Sequence, residues 1–318
     1  MESLQQIKQR IKSVKNINQI TKAMELVAAT KMRKSQEIAL ASRPYAFAAL
    51  DFLATLSKLD DVALPPILQS RTVERRMVVL VTSDKGLAGA FNANVIRAFE
   101  KFLRSDMGQV AWGKETVFVA VGQKAHQYLD RFVSLKAQSS KLKARFVRVG
   151  DYTTVGEVRP IADLVIKSFL EGECDEVVMF SAHFKSALEQ DVIRRRILPV
   201  SMEDIKKTLK EIVPKTGRFS ELNQLPVMSY ELSANYLIEP SAEEILDDLA
   251  RHLILMQIYH IILEANASEH AARRLAMKNA SDNAEDLAES LAFAYNKSRQ
   301  AFITKELIEI TAGAEILQ

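Results

Sequence analysis

Three features of this chain hold side chains of a type that does chemistry. The first is the turn Ser83-Asp84-Lys85-Gly86-Leu87-Ala88-Gly89, where a lysine stands beside glycines just after an apolar run. A phosphate loop needs four residues between its glycines and then Gly-Lys-Ser/Thr, and a dinucleotide fingerprint needs G-x-G-x-x-G. Neither pattern is present, so a tight strand-to-helix turn is expected here, with nucleotide binding as the competing reading. The second is a set of five histidines, His126, His183, His252, His260 and His270, with no HExxH or paired-ligand spacing; no metal site is expected. The third is Cys174, preceded by Glu171 and Glu173, an acidic setting that raises a thiol pKa and leaves it unreactive. No Ser/His/Asp set stands out, and no catalytic residue and no cofactor is expected.

A fourth feature binds instead of reacting. Lys31, Arg33 and Lys34 form a basic cluster in a segment, 1–43, that carries nine basic and three acidic side chains. Such a cluster suits nucleic acid, a membrane surface or an acidic protein partner, or is a plain solvated face. Nucleic-acid binders interleave aromatics or carry a helix-turn-helix, neither of which is visible, and an exposed apolar tip farther along the chain makes binding to a protein the expected reading. The whole chain is nearly balanced, with 43 basic against 40 acidic residues among 318, which excludes a polybasic nucleic-acid binder.

The elements that must position these residues follow from where the helix breakers fall. Only ten glycines and eight prolines are present, about half of the ~12% average usage. Nine of the glycines lie between Gly86 and Gly217 and the prolines run from Pro44 to Pro240, so 1–43 and 241–312 contain neither. That predicts two uninterrupted helices flanking a folded middle. In the first helix Leu4, Ile7, Ile11, Val14, Ile17, Ile20, Met24 and Val27 recur at helical steps and are expected to form its inner seam. The second starts at Ser241, with Glu243 and Glu244 in its first turn, is apolar nearly all round from Ile245 to Leu263, and then shows alanines every four residues from Ala276 to Ala292. Residues 241–318 carry seven basic and thirteen acidic side chains, so helices of opposite charge are expected to pair as an antiparallel coiled coil.

Between them Met77–Val81, Val117–Val121, Asp175–Phe180 and Val192–Val200 read as strands, the last more exposed, and Asn92–Phe102 and a pattern around Ile161–Phe169 as helices. The fold class is therefore α/β plus a long antiparallel coiled coil. The expected domains are a helix over 1–59, a central Rossmann-like α/β domain over 60–240 and a helix over 241–318. Lys206–Val213 reads as a short helix. At ~1.5 Å per residue the second helix outruns the first by several turns. That overhang holds Phe302, Ile303, Leu307, Ile308, Ile310, Ile316 and Leu317, a surface too apolar to stand in water without a partner. No run of 18 apolar residues marks a membrane span. The first residues, MESLQQIKQRIKSVKN, lack the pattern of a signal or transit peptide.

Longer stretches carry a resemblance. Gln19-Ile20-Thr21-Lys22-Ala23-Met24-Glu25-Leu26-Val27-Ala28-Ala29-Thr30-Lys31-Met32-Arg33-Lys34, Arg43-Pro44-Tyr45 and the turn at Ser83–Gly89 resemble the gamma subunits of F-type ATP synthases. So do Ser268-Glu269-His270-Ala271-Ala272-Arg273, Met277-Lys278-Asn279-Ala280, Tyr295-Asn296-Lys297-Ser298-Arg299-Gln300 and Ile303-Thr304-Lys305-Glu306-Leu307-Ile308-Glu309-Ile310, in family order. The resemblance implies a non-catalytic rotor shaft that couples proton flow to ATP synthesis or hydrolysis. Its partners would be alpha, beta and epsilon subunits and a membrane ring of c subunits, at the cytoplasmic face of a bacterial inner membrane, with no nucleic acid and no membrane insertion. By position, Met24, Lys31, Arg33 and Lys34 would face acidic loops of beta. Arg299, Gln300 and Thr304, with Glu306 and Glu309, would form a polar catch on beta. Ile303, Leu307, Ile310, Ile316 and Leu317 would lie in a hydrophobic sleeve. Ile316 replaces a small residue of the family, Ala88 and Ala90 replace its Cys and Gly, and the region 194–230 is longer. The insert with a redox cysteine pair known from chloroplast members is missing.

Overall fold

A computed structural model describes residues 3–56, 65–110, 116–136, 141–200, 239 and 241–316. The elements are α1 (Leu4–Leu56), β1 (Arg76–Val81), α2 (Phe91–Val110), β2 (Thr116–Val121), α3 (Gln123–Lys136), β3 (Lys141–Phe146), α4 (Val155–Leu170), β4 (Glu176–Phe184), β5 (Gln190–Leu198) and α5 (Ala242–Ile316). The expected helix at Lys206–Val213 lies outside the described residues. Two compact units result: residues 1–28 with 273–318, and residues 29–272.

In the larger unit the strands form one sheet in the order β3-β2-β1-β4-β5. The first four run parallel and β5 runs antiparallel to β4. Because successive strand residues point to opposite faces, the continuous apolar runs of β1, β2 and β4 feed two cores. Val78, Leu80, Phe118, Ala120, Val178 and Phe180 meet α2 and α3 on one face, where Phe99 makes edge-on contacts with Phe118, Phe132 and Phe180. Met77, Val79, Val119, Val177 and Met179 meet α4 and the stretch of α5 up to Ala265 on the other. From Leu253 to Ala271 every α5 residue is buried, as its all-round hydrophobicity predicts. Ser241 Oγ accepts the Glu244 N–H at 3.2 Å, capping this helix at the expected start.

Several expectations change. The element pair α3 and β3 was not foreseen, because β3 reads Lys-Leu-Lys-Ala-Arg-Phe and its alternating exposure is that of an edge strand. The strand expected to end at Phe180 continues to Phe184, and the last strand spans Gln190–Leu198. In that strand Arg194 and Arg196 are exposed but Arg195 is buried, since a period of two turns the middle arginine inward.

The smaller unit is an antiparallel helix pair, with Asn18 opposite Ser281 and Glu25 opposite Arg274. Ser281 Oγ donates to Asn18 Oδ1 at 2.6 Å, and Arg274 Nε lies 3.9 Å from Glu25. The inner face of α1 starts as expected with Leu4, Ile7, Ile11 and Val14, then continues through Asn18, Thr21, Met24 and Ala28. Ile17, Ile20 and Val27 face outward, Ile20 at 59% exposure. A supercoiled pair repeats every 3.5 residues, so the seam keeps alternating steps of three and four whatever residue types occupy it. On α5 the matching seam is Met277, Ser281, Ala284, Ala288, Leu291 and Tyr295. A strict four-residue alanine stripe would wind off the contact, and only Ala284 and Ala288 of it are fully buried.

Gly122 closes β2 with φ +93°, and a Cβ there would stand 2.1 Å from the Thr82 carbonyl oxygen. Gly122→Ala is expected to cost about 2 kcal/mol or more in urea unfolding, through backbone strain. His260 is buried within α5, and burial pushes its imidazole down to about 4 despite the nearby Glu264 carboxylate. It is neutral in the fold, whereas the unfolded group titrates near ~6.5. Its stabilising contribution is complete above that value and is lost as pH falls toward the folded value. Lowering the pH from about 7 to about 5 should therefore remove about 2 kcal/mol, and His260→Phe should abolish that part of the slope.

Candidate functional site

The turn after β1 is closed upon itself. Thr82 Oγ1 accepts the Ala125 N–H at 2.6 Å, the Ser83 carbonyl accepts that of Lys124 at 3.1 Å, and Asp84 Oδ1 accepts that of Gln123 at 2.9 Å. Those are the first donors of α3, the groups a phosphate would use at a helix N-terminus. Asn92 Oδ1 accepts from the Ser83 N–H at 3.0 Å, and Leu87 and Gly89 adopt positive φ to bring the chain round. A carboxylate thus stands where an anion would dock, and the turn is a capping device that ties β1 to α3.

The other candidates for chemistry are also accounted for by packing. Cys174 is buried, and burial, aided by Asp175 and Glu173, pushes its thiol up to about 12. His183 is buried with its Nδ1 3.1 Å from Glu264 Oε2, and His126 lies 3.2 Å from an Arg145 nitrogen. Among the described residues no group of three or more His, Cys, Asp or Glu could hold a metal ion. A groove of about 580 Å³ between α4 and α5 is floored by Ile166, Leu170 and Leu255. Its rim carries charges that pair along their own helices, Lys167 with Glu171 at 3.8 Å and Arg251 with Asp247 at 2.7 Å, beside Asp163, Asp248 and His252.

The binding residues divide by unit. In the larger one, Lys31 Nζ bonds Asp151 Oδ2 at 2.7 Å, and His270 Nε2 lies 3.3 Å from Asp151 Oδ1. Burial would raise the Asp151 carboxyl, but the Lys31 bond, with His270 and Lys85 nearby, holds it below the usual carboxylate range. Asp151 sits at φ +54°, in the loop that leads from β3 to α4. Lys31 is therefore engaged inside the unit, whereas Arg33 and Lys34 are exposed, Lys34 only 3.9 Å from Glu37.

In the smaller unit, Met24 is half-buried in the helix seam. Arg299, Gln300 and every residue from Ala301 to Thr311 are exposed, the stretch of α5 that runs past the first residues of α1. Phe302, Ile303, Leu307, Ile308 and Ile310 belong to it, Ile310 at 68% exposure. Thr304 Oγ1 donates back to the Gln300 carbonyl at 2.9 Å, and Glu309 lies 3.6 Å from Lys305, so the polar residues are held on the helix surface. Glu306 is exposed. Ile316 is the last residue of α5, and Leu317 lies outside the described residues. Ile17, Ile20, Leu26 and Val27 are exposed apolar residues on α1. Sequence reasoning placed Ile17, Ile20 and Val27 inside; a strict heptad count from Leu4 would have turned them outward.

The chain as a whole is similar to known proteins. A family model described as ATP synthase matches residues 3–317. The ATP synthase gamma chain of Geobacter metallireducens is 36% identical over 318 residues, covering 100% of both chains. That of Opitutus terrae is 39% identical over 313 residues, 98% of each. Among solved structures, a chain from Euglena gracilis mitochondrial ATP synthase in a rotational state matches with TM-score 0.61 and 17% identity over 99% of this chain and 94% of its own. A chain from the central stalk and c-ring of the Tetrahymena thermophila enzyme matches with TM-score 0.55 and 23% identity, covering 82% of this chain and 99% of its own. At those identities the structures share the fold.

Proposed function

Because the chain belongs to the ATP synthase gamma chain family, we propose that it is the central rotor shaft of an F-type ATP synthase and performs no bond chemistry itself. The observation that carries this reading is the bare apolar stretch of α5 from Phe302 to Ile310, continuous in one helix with a segment buried against the sheet. A helix this apolar needs an enclosing surface. A sleeve formed by alpha and beta subunits provides one, with Ile303, Leu307, Ile310, Ile316 and Leu317 inside it.

For this role the chain divides into shaft helices over 1–59 and 241–318 and a globular part over 60–240 that meets epsilon and the membrane ring of c subunits. Turning of the ring by proton flow turns the shaft. Each beta subunit then meets a different side of an asymmetric surface, and the differing binding energies drive its nucleotide site through successive states. Arg299, Gln300 and Thr304, with Glu306 and Glu309, supply the polar catch. Arg33 and Lys34 reach acidic loops of beta, Lys31 adds its charge while held by Asp151, and Met24 lies on the same helix. The complex sits at the cytoplasmic face of a bacterial inner membrane. No helix among the described residues is long and apolar enough to cross a membrane, which supports attachment through partners.

The alternative, a nucleotide-dependent enzyme using the turn at Lys85, is disfavoured because Asp84 already occupies the α3 N-terminus. Mixing decides between them. The purified chain should hydrolyse no ATP alone, then co-elute with alpha and beta subunits and change their turnover; magnesium-dependent hydrolysis by the chain itself would reinstate the enzyme. Deleting residues 303–318 should weaken co-elution and lower ATP-driven proton pumping by roughly fivefold or more. Replacing Lys31, Arg33 and Lys34 with Glu should reduce pumping more than helix content measured by circular dichroism. Equal losses in both would refute a binding role for the cluster.

A further inference from the structure

The segment of α5 that crosses the sheet unit is apolar on every side: Leu253, Ile254, Ile258, Ile261, Ile262 and Leu263 are all buried. Apolar contact is non-directional, so this surface alone distinguishes poorly between one rotational setting of the helix and another. Polar groups make the distinction. Glu264, fully buried, places Oε2 2.9 Å from Arg195 Nη1 on β5 and 3.1 Å from His183 Nδ1 on β4. Arg195 and His183 in turn lie 3.3 Å apart. Burial would raise the Glu264 carboxyl, but the Arg195 guanidinium and the His183 bond outweigh it and keep it ionised.

On another side, Asn266 Nδ2 donates to Thr153 Oγ1 at 2.9 Å and to the Val149 carbonyl at 3.3 Å, and Tyr259 Oη donates to the Thr153 carbonyl at 3.3 Å. At about 100° per residue, Asn266 stands roughly 200° round the helix from Glu264, and Tyr259 lies within about 20° of Asn266. The helix is thus gripped by polar bonds on two opposed sides. A rotation of one residue step would strand a buried carboxylate and break the bonds to Thr153 together.

We infer that Glu264 is the positioning residue of a two-sided clamp, with Arg195 and His183 on one side and Asn266, Tyr259 and Thr153 on the other, that locks α5 against rotation within the sheet unit. Torque applied to the sheet then enters the helix without slip. This rests on the shaft reading, and the test separates the two. In the complex assembled with alpha and beta, a probe is attached through Leu135→Cys, an exposed position on α3, since the buried Cys174 thiol does not compete.

Angular fluctuation of the probe about a stalled hexamer reports torsional stiffness. The apolar pair Glu264→Leu with Arg195→Met removes the clamp while filling its volume, and such replacements commonly preserve folding. Its angular distribution should broaden relative to wild type, while its thermal midpoint changes little. A folded variant with a distribution as narrow as wild type overturns the clamp. If this pair fails to assemble, Asn266→Leu with Thr153→Val removes the opposite grip and is read in the same way, broadening supporting the clamp and no change overturning it. Wild-type complexes that hydrolyse ATP without turning the probe would defeat the shaft reading itself.

Discussion

The structure depends on one helix staying unbroken. α5 runs for 75 residues, and for most of that length each backbone N–H finds its partner one turn earlier, so the chain can be fully buried at one stage and fully exposed at another without stranding a polar group. A glycine or proline within it would uncouple those stages by introducing a hinge or a kink. The only glycine in α5, Gly313, stands three residues before its last, Ile316. Part of the larger unit holds this rod: one face of the sheet supplies its apolar bed, while β4, β5 and the loop from Val149 to Thr153 supply its polar grips.

What the rod does changes with the company of its side chains. Against the sheet it is lined by leucine and isoleucine and excludes water. Beside α1 its seam narrows to Ser281, Ala284 and Ala288, residues small enough for two backbones to approach. Beyond α1 large apolar residues return, and none of the described residues covers them. That sequence of environments makes the protein legible as a part of something larger. The reading is one of surfaces, and three groups with chemical potential are held in the fold: Asp84 by α3, Glu264 by Arg195 and Cys174 in the core.

Much of this could be read from the residues, and the exceptions have physical causes. The two long helices and the bare tip follow from where Gly and Pro are missing and where Phe302 to Ile310 fall, which are local properties of the chain. β3 was hidden because a strand at the edge of a sheet alternates Lys and Arg with apolar residues and resembles a solvated loop. The drift of the α1 seam onto Asn18 and Thr21 was hidden because a supercoil selects position over hydrophobicity. The bond between Glu264 and His183 joins residues 81 apart and no periodicity encodes it. A carboxylate following Ile258–Leu263 was the one available sign, since charge in such a run demands a partner.

The cationic edge of the sheet has a further consequence. Lys141 and Arg145 are exposed along β3, where Lys143 pairs with Glu173, and Arg194 and Arg196 are exposed along β5, at the two margins of the sheet. A second copy adding its own margin would bring like charges side by side and meet steep repulsion. The protein therefore resists self-polymerisation through its strands, a safeguard suited to a component whose axis has room for a single occupant.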